Sequence, residues 1–269
     1  MEHRPFSVIT LALRYLAYYV RAGNGKGHGI HSPFVYSFIR EVLNDRGHYY
    51  AYDQVERLRK ALLKDNSLLP VTDLGAGSGK DSGSNRTVSS IVRHAAKPAK
   101  LAKLLFRVVN YFQPASIIEL GTSLGITAAY MAAANAKATV YTIEGSPAIA
   151  EKAAINLQSL QLKNTEVLNG SFDEILPGLL AKLGKVDMAY IDGNHRYEST
   201  LRYFNELLPF VRDYSVLVFD DIHWSEEMEA AWKTIREHPS VSCSIDIFFL
   251  GFIFFRPEIK VPQHFEIRF

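Results

Sequence analysis

Residues 116–132, Ser-Ile-Ile-Glu-Leu-Gly-Thr-Ser-Leu-Gly-Ile-Thr-Ala-Ala-Tyr-Met-Ala, leave the chain few folds to adopt. Ser116 to Leu120 is a short apolar run bounded by Pro114 and Gly121, the pattern of a buried strand. Thr127 to Ala134 is rich in alanine and reads as a helix. Between them, Gly121-Thr122-Ser123-Leu124-Gly125 makes a strand-to-helix turn whose backbone N–H groups can approach a ligand. Glu119 closes the strand with a carboxylate aimed at whatever sits on that turn. A small-molecule cleft at the carboxyl end of a first parallel strand is therefore expected.

The rest of the chain keeps that rhythm. Strands over 139–143, 165–168, 186–191 and 215–219 alternate with helices over 147–160, 172–183, 197–208 and 226–237, the second helix broken at Pro177-Gly178. This alternation predicts an α/β fold with a mostly parallel sheet and helices on both faces. Ser244 to Phe255 is two apolar runs joined near Gly251, expected as a C-terminal antiparallel strand pair. Residues 88–112 are helical in period, interrupted near Pro98, with an apolar stripe of Leu101, Leu104, Leu105 and Val108. Upstream, Phe6–Arg21, Pro33–Leu43 and Asp53–Lys64 are helix candidates, with the glycine-rich connector 23–29 between the first two. Three regions follow: a helical appendage over 1–70, a lid loop and leading helix over 71–100, and a ligand-binding domain over 101–269. Asp73-Leu-Gly-Ala-Gly-Ser-Gly79 imitates a ligand turn, but its strand is very short and loop-like sequence follows it. It reads as a surface loop.

Composition excludes several classes. One cysteine, Cys243, rules out an internal disulfide and a cysteine-based zinc site, and fits a reducing cytoplasm. A net charge of +2 gives no reason to expect nucleic acid as a partner. No apolar run reaches the roughly 18 residues of a membrane span. The basic, aromatic cluster of Arg14, Arg21, Lys26, His28 and His31 among Tyr15, Tyr18 and Tyr19 reads as helices that cap the core or lean over an acceptor site, with a nucleic-acid or membrane-surface role as the alternative. A homodimer is compatible with the sequence.

The chemistry gathers at strand tips. Glu144 ends the second strand about 20 residues past the glycine turn, placed to accept hydrogen bonds from ribose hydroxyls. Asp192 ends one later strand, and Asp220 and Asp221 end the next. Like charges brought together at one sheet edge are costly unless a cation neutralises them, and hard oxygen ligands suit Mg²⁺, Mn²⁺ or Ca²⁺ better than zinc. Alternative roles for the aspartates are helix caps and loop anchors.

The spacing Glu119-x-Gly121-x-x-x-Gly125 resembles motif I of class I S-adenosylmethionine (SAM) methyltransferases, with Ser123 where a glycine is usual. It lacks the glycine order of a dinucleotide-binding turn. Residues 120–255 resemble the metal-dependent O-methyltransferases of the catechol, caffeoyl-CoA and macrolide-sugar type. That resemblance implies a Rossmann-like class I fold and SAM held by Glu119, Gly121, Thr122, Ser123, Gly125, Glu144, Gly145 and Asp192. Ser171 and Phe172 would flank the adenine. It further implies a divalent cation, Mg²⁺ foremost, on Asp192, Asp220 and Asp221, with Asp192 and His195 catalytic and His195 as general base. The acceptor is then a small-molecule hydroxyl of a vicinal diol or catechol. The rival readings are a metal-independent SAM methyltransferase and a SAM-fold binding protein without turnover.

Overall fold

The computed structural model describes residues 5–71 and 85–269; the loop expected over 73–79 lies outside the described residues. In chain order the elements are α1 (Val8–Arg21), α2 (Pro33–Phe38), which runs on as a π-helical turn over Ile39–Leu43, and α3 (Tyr50–Leu62). Next come β1 (Leu68–Pro70), β2 (Asn85–Thr87), α4 (Val88–Ala95), α5 (Ala99–Phe112), β3 (Ser116–Leu120) and α6 (Ile126–Ala134). The alternation continues with β4 (Thr139–Glu144), α7 (Pro147–Ser159), β5 (Thr165–Asn169), α8 (Phe172–Leu183) and β6 (Val186–Ile191). Last are α9 (Tyr197–Leu207), β7 (Val211–Asp220), α10 (Glu226–Arg236), β8 (Cys243–Asp246), β9 (Leu250–Phe254) and β10 (Gln263–Glu266). The α/β architecture, mostly parallel strands and N-terminal helices agree with the sequence pattern.

The chain forms two compact units. A middle unit comprises 45–179, and a terminal unit is assembled from both chain ends, 1–44 with 180–269.

In the middle unit β3, β4 and β5 are parallel, with β4 between its neighbours. Ile117, Ile118 and Leu120 are fully buried, as a strand covered on both faces must be. The stripe Leu101, Leu104, Leu105 and Val108 of α5 is likewise buried. Helix α6 is apolar all round and buried from Ile126 to Ala132, which is why alanines dominate it.

In the terminal unit β6 and β7 are parallel, β9 runs antiparallel to both β7 and β8, and β10 lies parallel to β8. The expected strand pair is present, but its turn falls at 247–249 and Gly251 lies inside β9. Packing explains that glycine: a Cβ there would stand 2.6 Å from the Trp232 ring. Strand β10 had no sequence signal. Helix α8 is not broken at Pro177-Gly178. Pro177 removes one backbone donor in mid-helix, and the buried Leu176, Leu179 and Leu180 hold the turns together. Helix α10 shows how end chemistry sets a boundary: Ser225 caps Met228 N–H, three glutamates fill the first turn, and Lys233 and Arg236 lie in the last.

Candidate active site

The middle unit holds the glycine turn. Gly121 has φ +105°, Ser123 +46° and Gly125 +79°. Positive φ costs a non-glycine residue about 1 kcal/mol, so Ser123 adopts a shape that a glycine would adopt freely. Gly125 is needed twice over, for its φ and because a Cβ would approach Leu157 Cγ to 3.3 Å. The turn is tied down from below. Gly121 and Thr122 N–H both donate to Ile143 C=O, and the buried Asn156 donates its side-chain amide to Leu124 C=O.

Glu119 is fully buried, and register places it opposite Thr142 on β4. The Thr142 hydroxyl donates to Glu119 Oε2 at 2.5 Å, so the hydroxyl of Thr122, 2.5 Å away, must donate to Thr142. Glu119 therefore anchors the turn from inside the sheet. Thr142 was missed from sequence, although a hydroxyl within the buried run of β4 was its signal.

Glu144 ends β4 and accepts from Ser123 N–H at 2.9 Å and Ser146 N–H at 3.0 Å, one on each oxygen. It thus joins the turn to the start of α7. Asn169 at the end of β5 donates to the carbonyls of Glu144 and Gly145. Ser171 forms a capping box with Glu174: each backbone N–H meets the other's side-chain oxygen, at 3.4 and 3.3 Å. Phe172 is half-buried at the first position of α8.

The terminal unit holds the acidic tips. Asp192 follows β6 and Asp220 ends β7, and parallel pairing of these strands puts both at one end. One ligand atom from each of Asp192, His195 and Asp220 lies within 4.8 Å of the other two. Asp220 is 1 % exposed, whereas Asp192 and His195 are partly open. His195 returns towards Asp192 because Asn194 and His195 both have positive φ, +66° and +25°, a strained pair of non-glycine residues. The Asn194 amide donates to Tyr203 Oη at 2.8 Å and holds that turn. His195 Nε2 stands 3.6 Å from Asp192 Oδ1, beyond a hydrogen bond, while Tyr190 Oη donates to Asp192 Oδ2 at 3.0 Å. Trp224 flanks the imidazole, with ring centres 5.5 Å apart.

Asp221 is not in that close group among the described residues. Its φ is +51°, its N–H donates to Phe249 C=O, and its C=O accepts from Trp224 N–H. His223 has both ring nitrogens engaged, Nδ1 with Glu229 at 3.0 Å and Nε2 with Asp246 at 2.8 Å. Burial opposes its charge, but the two hydrogen-bonded carboxylates outweigh burial and raise its pKa to about 9. Asp246 also accepts from Trp232 Nε1–H and Phe248 N–H. His223 is thus committed to structure.

Residues 118–222 match the family described as "Methyltransferase domain". No curated protein matches the chain. Among solved structures, the O-methyltransferase TomG from Streptomyces achromogenes, of tomaymycin synthesis and in complex with SAM, is 19% identical at TM-score 0.55. That match covers 78% of this chain and 91% of TomG. An O-methyltransferase from Bacillus cereus in complex with SAH is 18% identical at TM-score 0.53, over 82% of this chain and 97% of its own. The SAH-bound Podospora anserina methyltransferase PaMTH1 is 13% identical at TM-score 0.56, over 94% and 98%. The chain is similar to all three in fold. It shares their α/β methyltransferase fold, and residues 118–222 are the part that matches the methyltransferase-domain model.

Proposed function

We propose that the protein is a SAM-dependent O-methyltransferase that works with a divalent cation, Mg²⁺ foremost, on a small molecule bearing adjacent hydroxyls. The observation that carries this reading is the group of Asp192, His195 and Asp220. Two carboxylates so close, one of them buried, repel unless a cation or proton lies between them. Two oxygen donors beside an open approach fit Mg²⁺ or Mn²⁺. Asp192 and Asp220 would hold the ion, with Asp221 the third carboxylate of the same reading. When bound, such an ion lowers the pKa of an acceptor hydroxyl and fixes its position.

SAM, when bound, supplies a methyl group already activated on a sulfonium. The residues assigned to it are Gly121, Ser123, Gly125, Glu144 and Gly145, with Glu119 and Thr122 supporting the turn from within the sheet, Ser171 and Phe172 at the adenine and Asp192 shared with the cation. Glu144 has the strongest support, because backbone N–H groups pin its carboxylate in a fixed orientation. His195 takes the acceptor proton at Nε2, an atom without a short bond to Asp192. Imidazole is the side chain best suited to exchange a proton near neutral pH. The lone Cys243 is buried, and burial raises its thiol pKa to about 12, so the thiol is unreactive and has no part in the transfer.

The test is Asp220→Asn assayed with SAM and a catechol such as 3,4-dihydroxybenzoate. Transfer should fall at least a hundredfold, and EDTA should abolish it in the unaltered protein, while SAM affinity by calorimetry changes less than threefold. Transfer that survives both EDTA and the substitution removes the cation from the reading. Failure to bind SAM removes the reading itself.

A further inference from the structure

Helix α1 is built inside out. A helix on a soluble surface turns its polar face to water. Here the outward half consists of Val8, Ile9, Ala12, Leu13, Leu16, Ala17, Tyr19 and Val20, spanning roughly 180° of the helix at 100° per residue. Val8, Ile9, Leu13, Leu16 and Val20 are 85, 74, 63, 60 and 71 % exposed. The helix cannot rotate to hide them, because its other half is fastened to the terminal unit by polar bonds. Arg14 holds both oxygens of Glu229 at 2.9 and 2.8 Å, and Tyr18 Oη is shared between the carbonyls of Asp246 and Ile267. Leu11 and Tyr15 pack against Tyr18, Ala22 and Phe248.

Charge says what covers the exposed half. Residues 1–40 hold five arginines and lysines against the single Glu2, a net +4, whereas the remaining 229 residues carry −2; Arg14 and Arg40 are engaged by Glu229 and Glu41, so Arg21 and Lys26 carry the positive field beside α1. At the C-terminal end of the apolar face, the Arg268 guanidinium lies 4.8 Å over the Tyr19 ring and donates to Val20 C=O. Exposed Arg21 meets Glu266 only at 3.5 Å, and Lys26 is exposed nearby in sequence. An apolar strip bordered by a tyrosine and cations is the make-up of a helix lying in a headgroup layer. At 14 residues, about 21 Å, α1 is too short to cross a bilayer. A second copy fits less well. One helix face falls short of the roughly 800 Å² per partner of a stable interface, and the exposed cations Arg21 and Lys26 of two copies repel.

We infer that α1 seats the protein on an anionic phospholipid bilayer surface, its outward face in the acyl–headgroup boundary. The test is flotation with phosphatidylcholine vesicles and with vesicles of equal phosphatidylcholine and phosphatidylglycerol. The protein should float with the anionic vesicles, and Leu13→Gln with Leu16→Gln should lower its partition coefficient at least tenfold without shifting the thermal melt. Arg21→Gln with Lys26→Gln should lower it by more than tenfold on anionic vesicles, since each cation near such a surface is worth roughly fivefold. Protein that stays down with anionic vesicles overturns the inference. So does a dimer by light scattering that the leucine substitutions dissolve without any vesicle binding. Methyl transfer plays no part in either readout.

Discussion

Thr142 shows how far one hydroxyl can reach. It donates a hydrogen bond to buried Glu119 and accepts one from Thr122, so its loss leaves a buried carboxylate and a hydroxyl without this partner. Unmatched buried polar groups cost roughly 1–3 kcal/mol each. Thr142→Val, close in shape, should therefore lower unfolding free energy by about 2 kcal/mol in urea, whereas an effect below 0.5 kcal/mol would show that the chain of bonds carries little. Gly251 poses the opposite problem. Gly251→Ala pushes a methyl into the Trp232 ring, and overpacking of that kind costs about 1–3 kcal/mol. A stability equal to the parent would show that Trp232 can give way. Both positions mark the reach of sequence reading at this scale. Glu119, Glu144, Asp192 and Asp220 were legible because charged residues at the tips of apolar strands are anomalies. Thr142 and Gly251 act through cross-strand and helix-to-sheet neighbours that no local window contains.

Elements were legible wherever a residue's own neighbours decided them. The α5 stripe and the strand-turn-helix over 116–134 depend on period and glycine placement alone, and both stand where the sequence put them. Strand β10 does not: Gln263-His264-Phe265-Glu266 has little apolar character and is a strand because β8 offers it an edge. Ser171 taught a related lesson, for the hydroxyl assigned to a ligand also caps α8, a role visible in Ser-Phe-Asp-Glu. Another element-level tie sets a pH dependence. Asp65, between α3 and β1, accepts from the Ser67 hydroxyl at 2.6 Å, from Lys152 on α7 at 2.9 Å and from Ser67 N–H. The Ser67 hydroxyl, then Lys152, then that N–H hold its pKa down at about 2. A depressed carboxylate stabilises the fold above its unfolded pKa, and this is lost as pH falls from about 4 towards 2. Water screens the partly exposed pair, so the contribution is below about 1 kcal/mol. Asp65→Asn should flatten stability against pH in that window only. A parent-like slope between pH 4 and 2 would discount the tie.

At the scale of the whole chain, the terminal unit depends on residues more than 200 positions apart. Gly23 N–H donates to Glu266 C=O and Arg268 N–H to Gly23 C=O, so the segment after α1 is stitched to the last strand. Arg14 is the cation that faces Glu229, and Glu229 with Asp246 holds His223 charged. The sequence reading treated residues 1–70 as an appendage because local pattern cannot show that its cations serve carboxylates at the other end of the chain. Removing residues 1–22 leaves Glu229 facing His223 without Arg14 and strips the cover from Phe248. The Arg14–Glu229 pair is partly open to water and contributes below about 1 kcal/mol, so most of the loss, about 2–3 kcal/mol, comes from the buried Tyr18 that packs on Phe248. That loss belongs to one unit. Hydrogen exchange should accelerate about a hundredfold in α10 and β8, while amides of β4 and β5, whose ladder lies within 45–179, keep their protection. Equal acceleration in both sets would mean that the two units unfold as one and that α1 stabilises the whole chain. Unchanged exchange in α10 would mean that the Arg14–Glu229–His223 network has no structural weight.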